Sequence, residues 1–257
     1  MSPASLIPQD PVFYLFAVPA VILIGLAKGG FSGLGALGMP LMALGIDPVA
    51  GAAILLPILI VQDAVGVAAF RKTWDARTLK LLLPGAVVGI GLGYLLAAEV
   101  SSKAILAALG AVSILFGVQR LWVERGGRNP APSSSSPWVG SLFGVATGFT
   151  SQIAHAGGPP FQMWVMPRRL PRDVFVGTSA IFFAVLNWIK VPAYVALGQF
   201  TRANAVASAI LLPLAVLSSL AGVRLVRKVP MERFYLIIYT LMIVAGAKLL
   251  MDGMGAR

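Results

Sequence analysis

The sequence predicts an all-α polytopic membrane protein. It divides into two inverted-topology repeats of about five helical segments each, with broken or re-entrant helix pairs meeting at the midplane. Three observations predict this. Of the 257 residues, 58% are hydrophobic and 11% are charged, against about 25% charged in soluble domains. A soluble fold of this length could not hide so much apolar surface. Apolar runs of spanning length alternate with short basic loops, and two glycine-rich stretches ending in proline, Gly25 to Pro40 and Gly148 to Pro160, take similar places in the two halves.

The elements follow in order. Val12 to Ala27 is the first apolar run, and the glycine-rich stretch comes next. A short run, Leu34 to Leu44, ends at Gly45-Ile46-Asp47-Pro48. Val49 to Phe70, Leu79 to Ala98 and Ala104 to Val123 are spans of about 20 residues, the length that crosses a bilayer. Glu124 to Pro137 is rich in Ser, Pro and Gly, a composition that cannot build a packed core, and reads as a linker. The second half repeats the order. Trp138 to Thr150 leads into the second glycine-rich stretch, and Phe161 to Met166 continues to a basic turn. Val174 to Leu197, Ala203 to Val226 and Phe234 to Met251 are the last spans. The repeat is visible in residues too: Val100 to Leu121 aligns without gaps on Val229 to Leu250. The units are thus a first transmembrane repeat (12–123), a cytoplasmic linker (124–137) and a second transmembrane repeat (138–252).

Charge sets the orientation. The net charge is +11, but the basic residues cluster between apolar runs, which argues for membrane topology and against nucleic acid. Placing 71–80, 120–128, 168–172 and 224–233 on one face collects 14 of the 20 Lys and Arg residues there. That face is cytoplasmic by the positive-inside rule. Each half then crosses an odd net number of times, so the halves are inverted and both termini are expected in the periplasm. No Lys or Arg precedes Lys28, so the n-region of a cleavable signal peptide is not expected. No cysteine is present, which excludes disulfides and thiolate metal sites.

The glycine-rich stretches carry the candidate chemistry. Gly33-Leu34-Gly35-Ala36-Leu37-Gly38 matches G-x-G-x-x-G, but it lacks the strand before it and the acid about 20 residues on that a dinucleotide site needs. Two other readings remain. Glycine lets the backbone unwind so that freed N–H groups at a half-helix start face an anion. Glycine also lets helices pack closely with no ligand involved.

On the first reading the first break supplies Lys28, Gly30, Ser32, Gly33 and Gly35, and the second supplies Ser151, Gln152, His155, Gly157 and Gly158. Gln62 and Asn187 sit at matching depths on the third helix of each half. Lys28 lies deep in an apolar run, and a buried lysine needs a cavity or a partner. It neutralises an anionic substrate, or it snorkels to the cytoplasmic face, or it pairs with Asp63. Asp63 is a coupling group for H+ or Na+, or the partner of Lys28 or Lys190. His155, the only histidine, titrates near neutral pH and is the other coupling candidate. It has no second ligand nearby, so no metal site is expected. Trp74, Trp122, Trp138 and Trp164 fall near span ends, where interface anchoring is the default. Trp188 falls inside a span and is a candidate lining residue. Prolines 19, 57, 84, 192 and 213 lie within spans and predict kinks.

With these residues in view, the chain resembles the TauE/SafE family of sulfite exporter-type permeases over about residues 12–252. The glycine-rich segment running to Pro40 and to Pro160 carries the likeness. So do the short runs that follow, the small-residue helix starts Ala50-Gly51-Ala52-Ala53 and Gly177-Thr178-Ser179-Ala180, and the tandem duplication. The resemblance implies export of sulfite, an organosulfonate or a related sulfur anion across a bacterial inner (cell) membrane. An anion channel and a carrier of carboxylates are the alternatives, and a membrane assembly factor without transport is a third. No nucleophile–base–acid spacing is present, so no enzyme and no cofactor are expected. The expected partners are the small anion and membrane lipids, with H+ or Na+ coupling and homo-oligomer formation left open.

Overall fold

The structure, a computed structural model, describes residues 8, 10–31, 33–97, 99–126, 136–225 and 232–255. Among these residues the regular structure is helical throughout, and seven helices are long and apolar enough to cross a membrane. Helix α1 (Pro11–Lys28) starts where the Asp10 carboxylate accepts the Val12 N–H at 2.9 Å. It is followed by a 3₁₀ turn (Leu34–Leu37) and the short α2 (Gly38–Gly45). Asp47 caps α3 (Pro48–Phe70) by accepting the N–H groups of Val49 and Ala50. Helices α4 (Ala76–Ala97) and α5 (Ser102–Gly126) complete the first half. The second half repeats the lengths: α6 (Pro137–Ala154), the short α7 (Gly158–Val165), then α8 (Arg172–Ala196), α9 (Arg202–Leu225) and α10 (Glu232–Met254). Prolines 19, 57, 84, 192 and 213 all lie inside helices that continue past them.

Three expectations need correcting. Ser151 and Gln152 were expected in unwound chain, but they form the last turn of α6, so the second break spans only a few residues. Helix α5 extends through Glu124 to Gly126 because Arg120 and Glu124 pair one turn apart at 2.8 Å. The expected linker is therefore shorter than 124–137, and its residues 127–135 lie outside the described residues. Trp164 does not sit at an interface. It is buried, lies against Gly140, and stacks under the Arg168 guanidinium at 3.8 Å.

Packing is closed under exchange of the halves. Helix α1 runs along α9, its counterpart pairing is α6 along α4, and α3 meets α8 as α5 meets α10. Neighbouring positions give the directions. Gly85 faces Ser141, and Gly89 faces Val145, so α4 and α6 are parallel. Asp63 touches Asn187, Gly66 faces Ala180, and Gly177 faces Thr73, so α3 and α8 run antiparallel. Gly110 faces Gly246, and Gly117 faces Ile243 and Tyr239, so α5 and α10 run antiparallel as well.

Small residues make this packing possible. A Cβ on Gly144 would stand 2.3 Å from the Leu82 carbonyl oxygen, and one on Gly29 would stand 2.3 Å from the Gly222 carbonyl carbon. Backbone cannot yield as a flexible side chain can, so these seams fix interhelix distance. Gly144→Leu is expected to lower stability by at least about 1–3 kcal/mol, the usual cost of overpacking. A thermal melt in detergent that matches the wild type would refute the seam.

The basic loops share one end of the bundle. Arg168 is close enough to Asp75 and Arg77 to feel their charges. Asp75 joins the loop after α3 to α8, since its N–H donates to the Thr178 hydroxyl at 2.8 Å. Burial pushes the Asp75 carboxyl up, but hydrogen bonds from Thr78 and Arg77 and the charge of Arg168 outweigh it and hold it below its ordinary value.

Candidate functional site

The site forms where α3 and α8 cross, at Asp63 and Asn187. Asp63 lies 15 residues after Pro48, which is about 22 Å along α3 at ~1.5 Å per residue. Its carboxylate is 2% exposed. One oxygen takes an ion pair from the Lys28 ammonium at 2.5 Å, and the other accepts from the Asn187 amide at 2.5 Å. Of the readings open for Asp63, the geometry selects Lys28 as its partner. Lys28 is the last residue of α1, and its ammonium also lies 4.9 Å from the centre of the Phe183 ring. An ammonium over a ring face is attracted by the ring quadrupole.

One helical turn beyond Asn187, Lys190 is fully buried. Its ammonium has three neighbours: His155 Nδ1 at 2.7 Å, the Ser151 hydroxyl at 3.1 Å and the Ser151 carbonyl at 3.2 Å. None of the three is a carboxylate. His155 ends α6 in the left-handed region at φ 47°. Its N–H donates to the Ser151 carbonyl and the next N–H, of Ala156, to the Thr150 carbonyl, which closes the helix, while its ring reaches the Ala52 carbonyl through Nε2 at 2.8 Å. The ring stacks on Tyr194 with centroids 5.8 Å apart, and the Tyr194 hydroxyl donates to the Gln152 carbonyl at 3.1 Å.

These groups surround a cavity of about 100 Å³ that both breaks help to line. Lys28, Gly33 and Gly35 come from the first break and Ser151, His155 and Gly158 from the second, with Asn187 and Lys190 from α8. Gly33 adopts φ 100° and Gly30 φ 123°, conformations that favour glycine, so the chain unwinds there as the residue type allows. Gly148 does the other job: a Cβ on it would lie 2.0 Å from the Ala86 carbonyl oxygen. Both readings of the glycines therefore hold, at different positions.

Five of the anticipated residues do not line the cavity, Asp63 among them, since its carboxylate is taken up by Lys28 and Asn187. Gly30, Gln152 and Gly157 lie beside it, and Gln62 turns its amide away to donate to the Val21 carbonyl at 3.1 Å. Ser32 lies outside the described residues. Trp188 is 63% exposed on the outer face of α8, which excludes it from the wall. Other lining residues escaped the sequence reading: Phe161 and Gln162 on α7, Phe175, Val176 and Phe183 on α8, and Leu55 and Leu59 on α3. Gln162 is 8% exposed, and its side-chain oxygen has no partner among the described residues. Helical spacing could have found part of this set. Counting back from Lys190 and Asn187 by three or four residues gives Phe183, Ala180 and Val176.

The family comparison is direct. The sequence model of the family described as sulfite exporter TauE/SafE matches residues 17–249. The chain belongs to this family. No curated protein and no solved structure matches it. The TauE/SafE match spans both breaks and every residue that lines the cavity. Family membership and seven spanning-capable helices together make this a multi-pass membrane protein and an anion transporter.

Proposed function

We propose that the chain is a secondary transporter that exports a small sulfur-containing anion, sulfite or an organosulfonate, across the bacterial inner membrane by alternating access. The observation that carries the site is Lys190. A buried ammonium with three neutral acceptors and no carboxylate within ion-pair reach among the described residues leaves the wall with one uncompensated positive charge. Such a charge is expensive in a bilayer and marks a ligand path. Lys28 adds a second ammonium, paired with Asp63. The start of α7, at Gly158, adds the positive end of a helix dipole.

Export suits the energetics. A monoanion leaving a cell that is negative inside gains about 2.3 kcal/mol per 100 mV. The antiparallel run of α3 against α8 and of α5 against α10 supports inverted repeats, the architecture in which one bundle rocks against the other around a central site. Both termini are then periplasmic and the basic loops cytoplasmic.

The test is counterflow. Proteoliposomes preloaded with unlabelled sulfite should accumulate labelled sulfite transiently above equilibrium. Flux that follows voltage linearly, with no acceleration by substrate on the far side, would point to a channel and refute the carrier.

A further inference from the structure

The contact between Lys190 and His155 limits the hydrogen count. His155 Nε2 faces the Ala52 carbonyl at 2.8 Å, and a carbonyl only accepts, so Nε2 carries the ring hydrogen. An ammonium has three hydrogens, and Lys190 has three acceptors around it, one of them His155 Nδ1 at 2.7 Å. With Lys190 as the ammonium, this arrangement sets it beside a neutral imidazole. A proton on Nδ1 as well would set two N–H groups against each other across that contact. The pair holds one positive charge and no more.

The geometry points to His155 Nδ1 as a proton-binding site that fills when the anion arrives, so that anion and proton travel together. This rests on the reading of the cavity as the anion site. An anion in the cavity takes hydrogens from Lys190 and breaks the contact to Nδ1. Nδ1 is then a buried acceptor with no donor, which is costly, and it lies beside a new negative charge, which favours the protonated ring. A proton from the solution on the open side adds to the Nδ1 lone pair. No other bond forms or breaks, and no electrons are transferred. The new N–H faces the anion. The remaining charged or titratable groups near the ring do not compete for this role. Lys28 is bound to Asp63, Asp63 also holds Asn187, and Tyr194 keeps its hydrogen on the Gln152 carbonyl. The pair presents nitrogens rather than a cage of oxygens, which suits H+ and not Na+. A monoanion carried with one proton is a neutral load, so this coupling replaces the electrical drive of a lone anion: the load then moves out only down the anion's own gradient, against any pH gradient that is acid outside.

His155 is the only histidine in the chain, so its ring gives the only histidine signals. The protein is made with 15N-labelled histidine and a purification tag free of histidine, placed in nanodiscs at pH 8, and titrated with sodium sulfite. Without sulfite, one ring nitrogen should be protonated and one bare. At saturation the bare-nitrogen resonance should disappear and a second protonated one should replace it. A ring that stays half-protonated while sulfite raises the melting temperature would overturn the proton site and leave the anion site standing. A ring already doubly protonated without sulfite would also overturn it. No thermal shift with sulfite, thiosulfate or methanesulfonate would overturn the anion site itself.

Discussion

Lys190→Met is expected to abolish sulfite counterflow while leaving the protein folded. Methionine keeps the length and most of the volume of the side chain, so the packing between α8 and α6 survives. What disappears is a fully buried charge. Removing one member of a buried ion pair is usually costly, because the partner is left as an unpaired charge. Lys190 has no carboxylate partner to strand, since its neighbours are His155 Nδ1 and two oxygens of Ser151. The Ser151 carbonyl still accepts the His155 N–H at 3.1 Å after the change. The melting temperature should therefore change little, because the relief of a buried charge offsets the loss of the donor to His155 Nδ1. Binding should fall, because a hydrogen bond to a charged group contributes about 1.5–3 kcal/mol, which is about 10- to 100-fold in affinity. Loss of the charge that attracts the anion into the cavity adds to this. Counterflow within about twofold of wild type would remove Lys190 from the site. A collapse in melting temperature would instead make it a structural residue.

Much of this architecture was legible because membrane physics leaves strong marks. Ten apolar runs became ten helices, and the ends moved by a few residues at most sites. The bilayer sets helix length, and the capping residues Asp10 and Asp47 stand where the sequence leaves the apolar run. The second break was harder to place. Ser151 and Gln152 look like loop residues by polarity, yet they complete a turn of α6 in which the Ser151 hydroxyl meets Lys190 and the Gln152 backbone carbonyl accepts from Tyr194. In the membrane interior a polar side chain such as Ser151 marks a buried polar contact rather than exposed chain. The site was legible where charge was rare: Lys28, Asp63, Asn187, His155 and Lys190 all meet within the crossing of α3 and α8. Which of the two lysines Asp63 would take was not legible, because sequence separation carries no distance between different helices. The aromatic wall was missed because Phe161 and Phe183 look the same as lipid-facing residues until the helix face is known.

The two roles open to Lys28 predict different outcomes in a double-mutant cycle with Asp63. Lys28→Met alone leaves the Asp63 carboxylate buried, with Asn187 as its remaining partner. Breaking a buried pair in this way costs about 3–5 kcal/mol. It also cancels the site's net positive charge, since the carboxylate then faces Lys190 alone. Stability and sulfite affinity should both drop sharply. Adding Asp63→Asn removes the stranded charge and restores the net charge of the wild type. If Lys28 serves only as the partner of Asp63, the double variant regains both stability and affinity. If its ammonium also touches the anion, stability returns and affinity does not. The structure favours the second outcome. Lys28 lines the cavity and its side chain is 13% exposed there, while Asp63 is screened behind it at 2%. The double variant should melt near the wild type yet bind sulfite about 10- to 100-fold more weakly, the loss of one charged hydrogen bond. Full recovery of affinity by calorimetry would leave Lys190 as the only cation that the anion meets.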